Sequence, residues 1–207
     1  MKLEAKLMNS LEKVTRVVDE TVNALASAIE KSDPYTAGHQ QRVAQLACAI
    51  AGEMGGFDDD RMKGLRTAAM IHDIGKLYVP SELLSKPGQL TDIEFGLIKT
   101  HPQAGYEILK EIEFPWPIAR IVQQHHERLD GSGYPVGLAG DDILLEARIV
   151  GVADVVESMS SHRPYRPGKG TKFALREIKM ARESSYDPIV VDSCLALFRN
   201  GFVLPTE

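Results

Sequence analysis

Apolar residues recur every three or four positions through most of this chain, and no convincing period-two alternation occurs anywhere. A helix turns once in about 3.6 residues, so this spacing lays one apolar stripe along each helix and leaves no strand signal to compete with it. The first stripe is Leu3, Leu7, Leu11, Val14, Val18, Val22, Leu25 and Ile29, with mostly Lys, Glu, Asp and Thr opposite. So long an amphipathic helix must cover its stripe with something. Leu7 with Val14, and Leu11 with Val18 and Leu25, also fit a heptad. Two destinations therefore stay open: the body of the same chain, or a second copy in a two-helix dimer stem. The expected fold class is all-α, with an amphipathic lead-in helix over residues 1–30 and a helical domain over residues 31–207.

The punctuation divides the rest. Ser32-Asp33-Pro34 ends the lead-in, and a second helix is expected from about Thr36 to Met54, stopped by Gly55-Gly56. A third opens at Asp58-Asp59-Asp60 and carries Met62, Leu65 and Ala69 to His72, ending near Ile74-Gly75-Lys76. Pro80 to Leu90 reads as loop, with a turn at Pro87-Gly88. Thr91-Asp92-Ile93-Glu94 is a capping box that starts the next helix. After Pro115-Trp116-Pro117 a helix leads to His125-His126, followed by loop from Gly131 to Asp142. A helix over about Leu144 to Ser161, a second loop from Pro164 to Gly170 and two further helices complete the chain.

Bulk properties exclude several classes. A formal charge of −5 argues against broad binding to DNA. No apolar run approaches the roughly 20 residues that cross a bilayer, and MKLEAKLMNSLEK lacks the apolar region of a signal peptide. Cys48 and Cys194 both sit in apolar segments and suggest no disulfide framework, which fits a cytoplasmic protein.

Chemistry concentrates in the histidines, of which there are six. His39 is in phase with Val43, Leu46 and Ile50, and His72 with Met62, Leu65 and Ala69, so both face inward. A lone inward histidine is more often a hydrogen-bonded core residue than a ligand. Asp73 follows His72 directly, and a carboxylate has two oxygens with which to bridge two ions. Lys76 falls one turn later, where it could meet a phosphate or simply lie exposed at a helix end. His101 precedes Pro102 at a helix break. His125 and His126 lie about 100° apart on a helix, so both face one site only if the helix ends there. Asp154 stands among Val150, Val152, Val155 and Val156, where an unpartnered carboxylate would be costly. Taken together, these five histidines and two aspartates could complete two divalent sites with nitrogen and oxygen donors. Fe, Mn, Zn, Ni and Co suit such donors better than an iron–sulfur cluster does. Paired ions of this kind activate water and hold phosphate oxygens during hydrolysis.

These residues stand in recognisable motifs. His72-Asp73-Ile74-Gly75-Lys76 resembles the HDIGK signature of the HD superfamily, and HHERLDGSGYP from His125 to Pro135 resembles the second signature of its HD-GYP branch. DPYTAGHQQRV around His39 and VADVVESMSSHRPYRP around Asp154 are similar to the same pattern, which covers roughly residues 22 to 200. The resemblance implies a helical HD-domain bundle that hydrolyses cyclic di-GMP to pGpG and/or GMP with two divalent ions, Fe or Mn first and Zn, Ni or Co compatible. It implies that His39, His72, Asp73 and Asp154 hold one ion, and that Asp73 bridges to a second held by His101, His125 and His126. A hydroxide between the ions would be the nucleophile, with Lys76 stabilising phosphate charge or assisting the leaving oxygen. Arg166 and Lys169 would reach guanine edges or phosphates. Asp130 and Tyr134 would order the loop at the rim, Tyr134 beside the substrate, with Gly131 and Gly133 permitting its turns. The same rim would contact diguanylate cyclase domains. Tyr35 stands where some members of the family carry a glutamate ligand, which favours two ions over three. Glu157-Ser158 replaces a frequent Asp-Ala, with no consequence that the sequence explains. A hydrolase of another cyclic dinucleotide, and a non-catalytic receptor or partner-binding module, are the competing readings; the ligand set is complete, which favours turnover.

Overall fold

The structure, a computed structural model, describes residues 2–32, 37–161 and 170–205. Tyr35, His162, Arg166 and Lys169 lie outside the described residues, as does most of the second expected loop. Ten helices are described: α1 Lys2–Ser32, α2 His39–Met54, α3 Asp59–Met70, α4 Ser81–Leu84, α5 Asp92–Ile98, α6 His101–Leu109, α7 Ile118–Gln124, α8 Leu145–Ser160, α9 Thr171–Met180 and α10 Pro188–Arg199. Two 3-10 turns, Ile74–Tyr78 and Gly140–Asp142, stand between them. No strand occurs among the described residues, only isolated bridges pairing Asp130 with Ala139 and Arg182 with Tyr186. The fold is all-α, as the periodicity predicts.

The core forms around α2, which packs against α3, α8 and α10, while α6 lies against α7 and the Ile74–Tyr78 turn. Val43, Leu46 and Ile50 of α2 are fully buried, together with Leu65 and Ala69 of α3. Helix α8 is enclosed on several sides, with Ile149, Val150, Val152, Ala153 and Val156 all buried. That is why its sequence reads as nearly continuous apolar rather than striped. The ends are defined chemically: Asp58 accepts from Arg61 N–H at 2.7 Å, and Thr91 and Glu94 complete the capping box at α5.

The stripe of α1 divides in two. Val22, Ala26 and Ile29 are buried against the domain, whereas Leu7, Val14 and Val18 are 70%, 58% and 45% exposed. No described helix is long and apolar enough to cross a membrane.

Three local expectations need correction. Helix α3 stops at Met70, before His72, and the chain then tightens into the Ile74–Tyr78 turn. The cause is Gly75: a Cβ there would stand 1.9 Å from the backbone oxygen of His101, so only glycine lets the turn press against α6. Within the expected loop from Pro80 to Leu90, Ser81–Leu84 forms one helical turn. Proline supplies a suitable start, since the first turn needs no bond from its nitrogen. Gly133, expected to serve a turn, has no left-handed backbone; its missing Cβ would instead lie 2.4 Å from Glu127 Cα.

Candidate metal centre

Nearly every candidate ligand sits at the end of a helix, where the backbone changes direction. His39 is the first residue of α2 and His101 the first of α6, while His72 and Asp73 occupy the turn after α3. Helix α7 ends at Gln124, so His125 and His126 escape the 100° separation and both face inward. Asp154 alone comes from mid-helix, on α8 across from α2.

The backbone decides which imidazole nitrogen faces the centre. His72 Nδ1 donates to Ala69 O at 2.8 Å, His101 Nδ1 to Ile98 O at 2.7 Å and His125 Nδ1 to Val122 O at 2.6 Å. A carbonyl can only accept, so each Nδ1 carries the proton and each Nε2 of a neutral ring presents a lone pair. Those lone pairs converge. His101 Nε2 and His125 Nε2 stand 3.4 Å apart, and His72 Nε2 is buried with no hydrogen-bond partner. Two lone pairs at that separation repel unless a proton or cation lies between them.

The carboxylates complete the arrangement. Asp73 Oδ2 lies 3.5 Å from His72 Nε2 and 3.8 Å from His39 Nε2. Its other oxygen, Oδ1, lies 3.4 Å from His101 Nε2. Asp154 Oδ1 is 3.4 Å from His39 Nε2 and 3.9 Å from His72 Nε2. Ligand atoms of His39, His72 and Asp154 fall within 4.8 Å of one another, as do those of His101, His125 and His126, and those of His72, Asp73 and His125. The residues present therefore fit divalent ions: neutral imidazoles, two carboxylates and an orphaned buried nitrogen. Asp73 faces both groups, one oxygen to each. Lys76 Nζ donates to Asp73 Oδ2 at 2.7 Å.

Charge states agree with that donor set. Burial pushes His101 down to about 4, and burial with neighbouring histidines holds His125 and His126 well below the usual range. Burial alone would raise Asp73, yet Lys76 and the surrounding histidines hold it well below the carboxylate range. Burial likewise opposes ionisation of Asp154, but its hydrogen bond with His39 and the nearby His72 keep it low. For His39, burial would lower the value, and the bonds to Asp154 and Glu157 override it, raising it to about 9. A cation on His39 Nε2 is thus favoured, whether proton or metal ion.

Beyond these ligands stand side chains whose roles could not be read from the sequence. Glu157, 1% exposed, accepts from His39 Nδ1 and from Arg42 Nε. The sequence signals for it were its place one turn after Asp154 in an apolar helix and the replacement of a frequent Asp-Ala by Glu157-Ser158. Gln40 Nε2 donates to Asp73 Oδ2 at 3.3 Å. Glu127, the residue after the paired histidines, accepts from the backbone N–H groups of Val136, Gly137 and Leu138 at 2.8–3.1 Å. That closes the loop over the centre and sets the Tyr134 ring against His126, with centroids 4.7 Å apart. Lys99 Nζ lies 5.3 Å from the same Tyr134 ring. Asp130 orders the loop by accepting from Ser132 N–H and Oγ–H. His39, His72, Asp73, His101, His125, His126 and Asp154 are all brought together, with Lys76 and Tyr134 beside them.

Comparison with known proteins places this geometry in a class. The HD domain family matches residues 23–190, and the chain belongs to that family. It is 40% identical over 197 residues to the cyclic di-GMP phosphodiesterase response regulator RpfG of Xanthomonas campestris, covering 94% of this chain and 52% of that protein. It is 37% identical over 187 residues to the 3'3'-cGAMP-specific phosphodiesterase 3 of Vibrio cholerae, covering 90% of this chain and 40% of the relative. The chain thus spans about half the length, or less, of these relatives. Among solved structures, Bd1817, a HDG"Y"P protein from Bdellovibrio bacteriovorus, shares the fold with a TM-score of 0.64 at 20% identity, over 78% of this chain and 51% of that one.

Proposed function

We propose that this chain is the catalytic domain of a metal-dependent phosphodiesterase that hydrolyses cyclic di-GMP to pGpG and/or GMP. The observation that carries the reading is the convergence of Nε2 lone pairs on the two oxygens of Asp73, with His101 and His125 nitrogens 3.4 Å apart. Such a cluster is unfavourable without a cation, and a divalent pair supplies an activated water and Lewis acidity toward phosphate. His39, His72 and Asp154 would hold one ion, His101, His125 and His126 the other, and Asp73 would bridge. Fe or Mn are the ions we favour. Lys76, already on Asp73 Oδ2, is placed to neutralise charge on a phosphate oxygen or to support the leaving oxygen. Tyr134 forms the lip, and Arg166 and Lys169 would bind guanine or phosphate. The rim around Tyr134 would also receive a diguanylate cyclase domain. Residues 1–30 would act as the linker or dimer stem and 31–207 as the HD-GYP domain, in the cytoplasm.

A second reading comes from similarity to the cGAMP-specific relative, which is nearly as great as that to the cyclic di-GMP relative. Anaerobic incubation of Fe(II)- or Mn(II)-loaded protein with cyclic di-GMP and 3'3'-cGAMP, followed by chromatography, separates the two. Many turnovers of cyclic di-GMP to pGpG or GMP would support the first reading. Preference for 3'3'-cGAMP would support the second. Bound metal with stoichiometric nucleotide binding and no product would point to a receptor.

A further inference from the structure

The histidines of the centre are not oriented in the same way. His72, His101 and His125 each give their Nδ1–H to a backbone carbonyl, a neutral acceptor within the same turn. His39 gives its Nδ1–H to a carboxylate, Glu157 Oε2. An anionic partner on the far nitrogen fixes the ring and makes Nε2 a stronger donor to a metal than a carbonyl partner does.

Glu157 is held so that it can do little else. Arg42 Nε donates to its other oxygen at 2.7 Å and Ser161 Oγ to the same oxygen at 2.6 Å. His39 and Arg42 lie one turn apart on α2, and Asp154 and Glu157 one turn apart on α8. The two facing helices therefore meet as a double rung: Asp154 meets His39 from the metal side while Glu157 meets it from behind. Among the described residues, the second ligand group has no equivalent. Its own ligands, His101, His125 and His126, are all neutral, and those of the first group include the anion Asp154. Lys76 opposes the difference, because it sits on Asp73 Oδ2. Lys76 thus draws on the oxygen that faces the first group, but it offsets one oxygen of a shared ligand, whereas Asp154 and Glu157 both act on the first position alone.

We propose that Glu157 is a positioning residue that makes the His39–His72–Asp154 position the tighter of the two, so that the ions load in order, this position first and His101–His125–His126 second. The ranking rests on the metal-centre reading above and goes beyond it by assigning the order and the residue that sets it.

The test is titration of the metal-free full chain with Mn(II), by calorimetry and by equilibrium dialysis with metal counting. Wild type is expected to show two steps. Glu157→Gln keeps the shape of the side chain and removes its charge; it should weaken the first step about 10–100-fold and leave the second in place. His126→Ala should remove only the second step, which assigns the steps to positions. Equal weakening of both steps in Glu157→Gln would show a clamp between α2 and α8 and overturn the proposal, as would an unchanged first step. Should Glu157→Gln fail to fold, wild type carrying one equivalent of Mn(II) decides the order by anomalous diffraction. The ion beside His39 supports the ranking, and the ion beside His126 overturns it. Wild type that binds no divalent ion would overturn the metal centre itself. Two ions bound in the reverse order would overturn the ranking alone.

Discussion

On the floor of the centre, His72, His101 and His125 are each held by one backbone carbonyl three residues earlier, inside their own turn. The lip is held differently: one side chain, Glu127, reaches across nine to eleven residues to the N–H groups of Val136, Gly137 and Leu138. The floor is distributed, because each ring keeps its orientation when a neighbour is lost. The lip is more concentrated, because one carboxylate, Glu127, takes three successive N–H groups, while Asp130 orders only the turn at Ser132. Substitutions on the floor should therefore remove chemistry and spare structure, and a substitution at Glu127 should do the reverse.

The largest effect is expected from Asp73→Ala. Metal-dependent turnover should fall below detection and bound metal should drop, with the helical circular dichroism of the wild type retained. Turnover at the wild-type rate would sink the bridging role. Next comes Lys76→Ala, for which kcat should decrease on the order of 10²–10³-fold while metal content stays at the wild-type level. If the metal were lost instead, Lys76 would be supporting the ligands rather than the substrate. Glu127→Ala breaks the lip and should spare the floor. These hydrogen bonds are part-buried and end on a charged group, and losing such a bond costs about 1.5–3 kcal/mol, so we expect a lower Tm and faster proteolysis between residues 131 and 138, with metal still bound. Loss of both ions from this variant would show that floor and lip are one unit. Smallest is Tyr134→Phe: the contact with His126 is made by the ring, and stability should change by less than about 0.5 kcal/mol. A large loss of kcat/KM at unchanged stability would place the hydroxyl on the substrate.

Much of this was legible beforehand, for local reasons. The capping box at Thr91 and Glu94 appears as expected, because both halves of the motif lie within one turn. Inward phasing placed His39 on the face of Val43, Leu46 and Ile50, and that face is buried. The end of α3 was expected near Ile74-Gly75-Lys76 and comes earlier, at Met70, because the pressure that shapes the turn comes from His101 O, on a different element. The lead-in helix shows the same limit: one stripe of uniform appearance is covered at Val22, Ala26 and Ile29 and open at Leu7, Val14 and Val18. Glu157 looked like a substitution without consequence.

What the sequence determined by itself was the helical class and the residue types available for a metal, since both follow from local periodicity and donor chemistry. Tertiary structure decided how those donors are used. Glu157 meets His39 across 118 residues, and Asp73 turns one oxygen toward each histidine group. Both depend on how α2, α8 and the Ile74–Tyr78 turn are registered against their neighbours. No local pattern encodes that register, because it is set by packing between segments far apart in the chain.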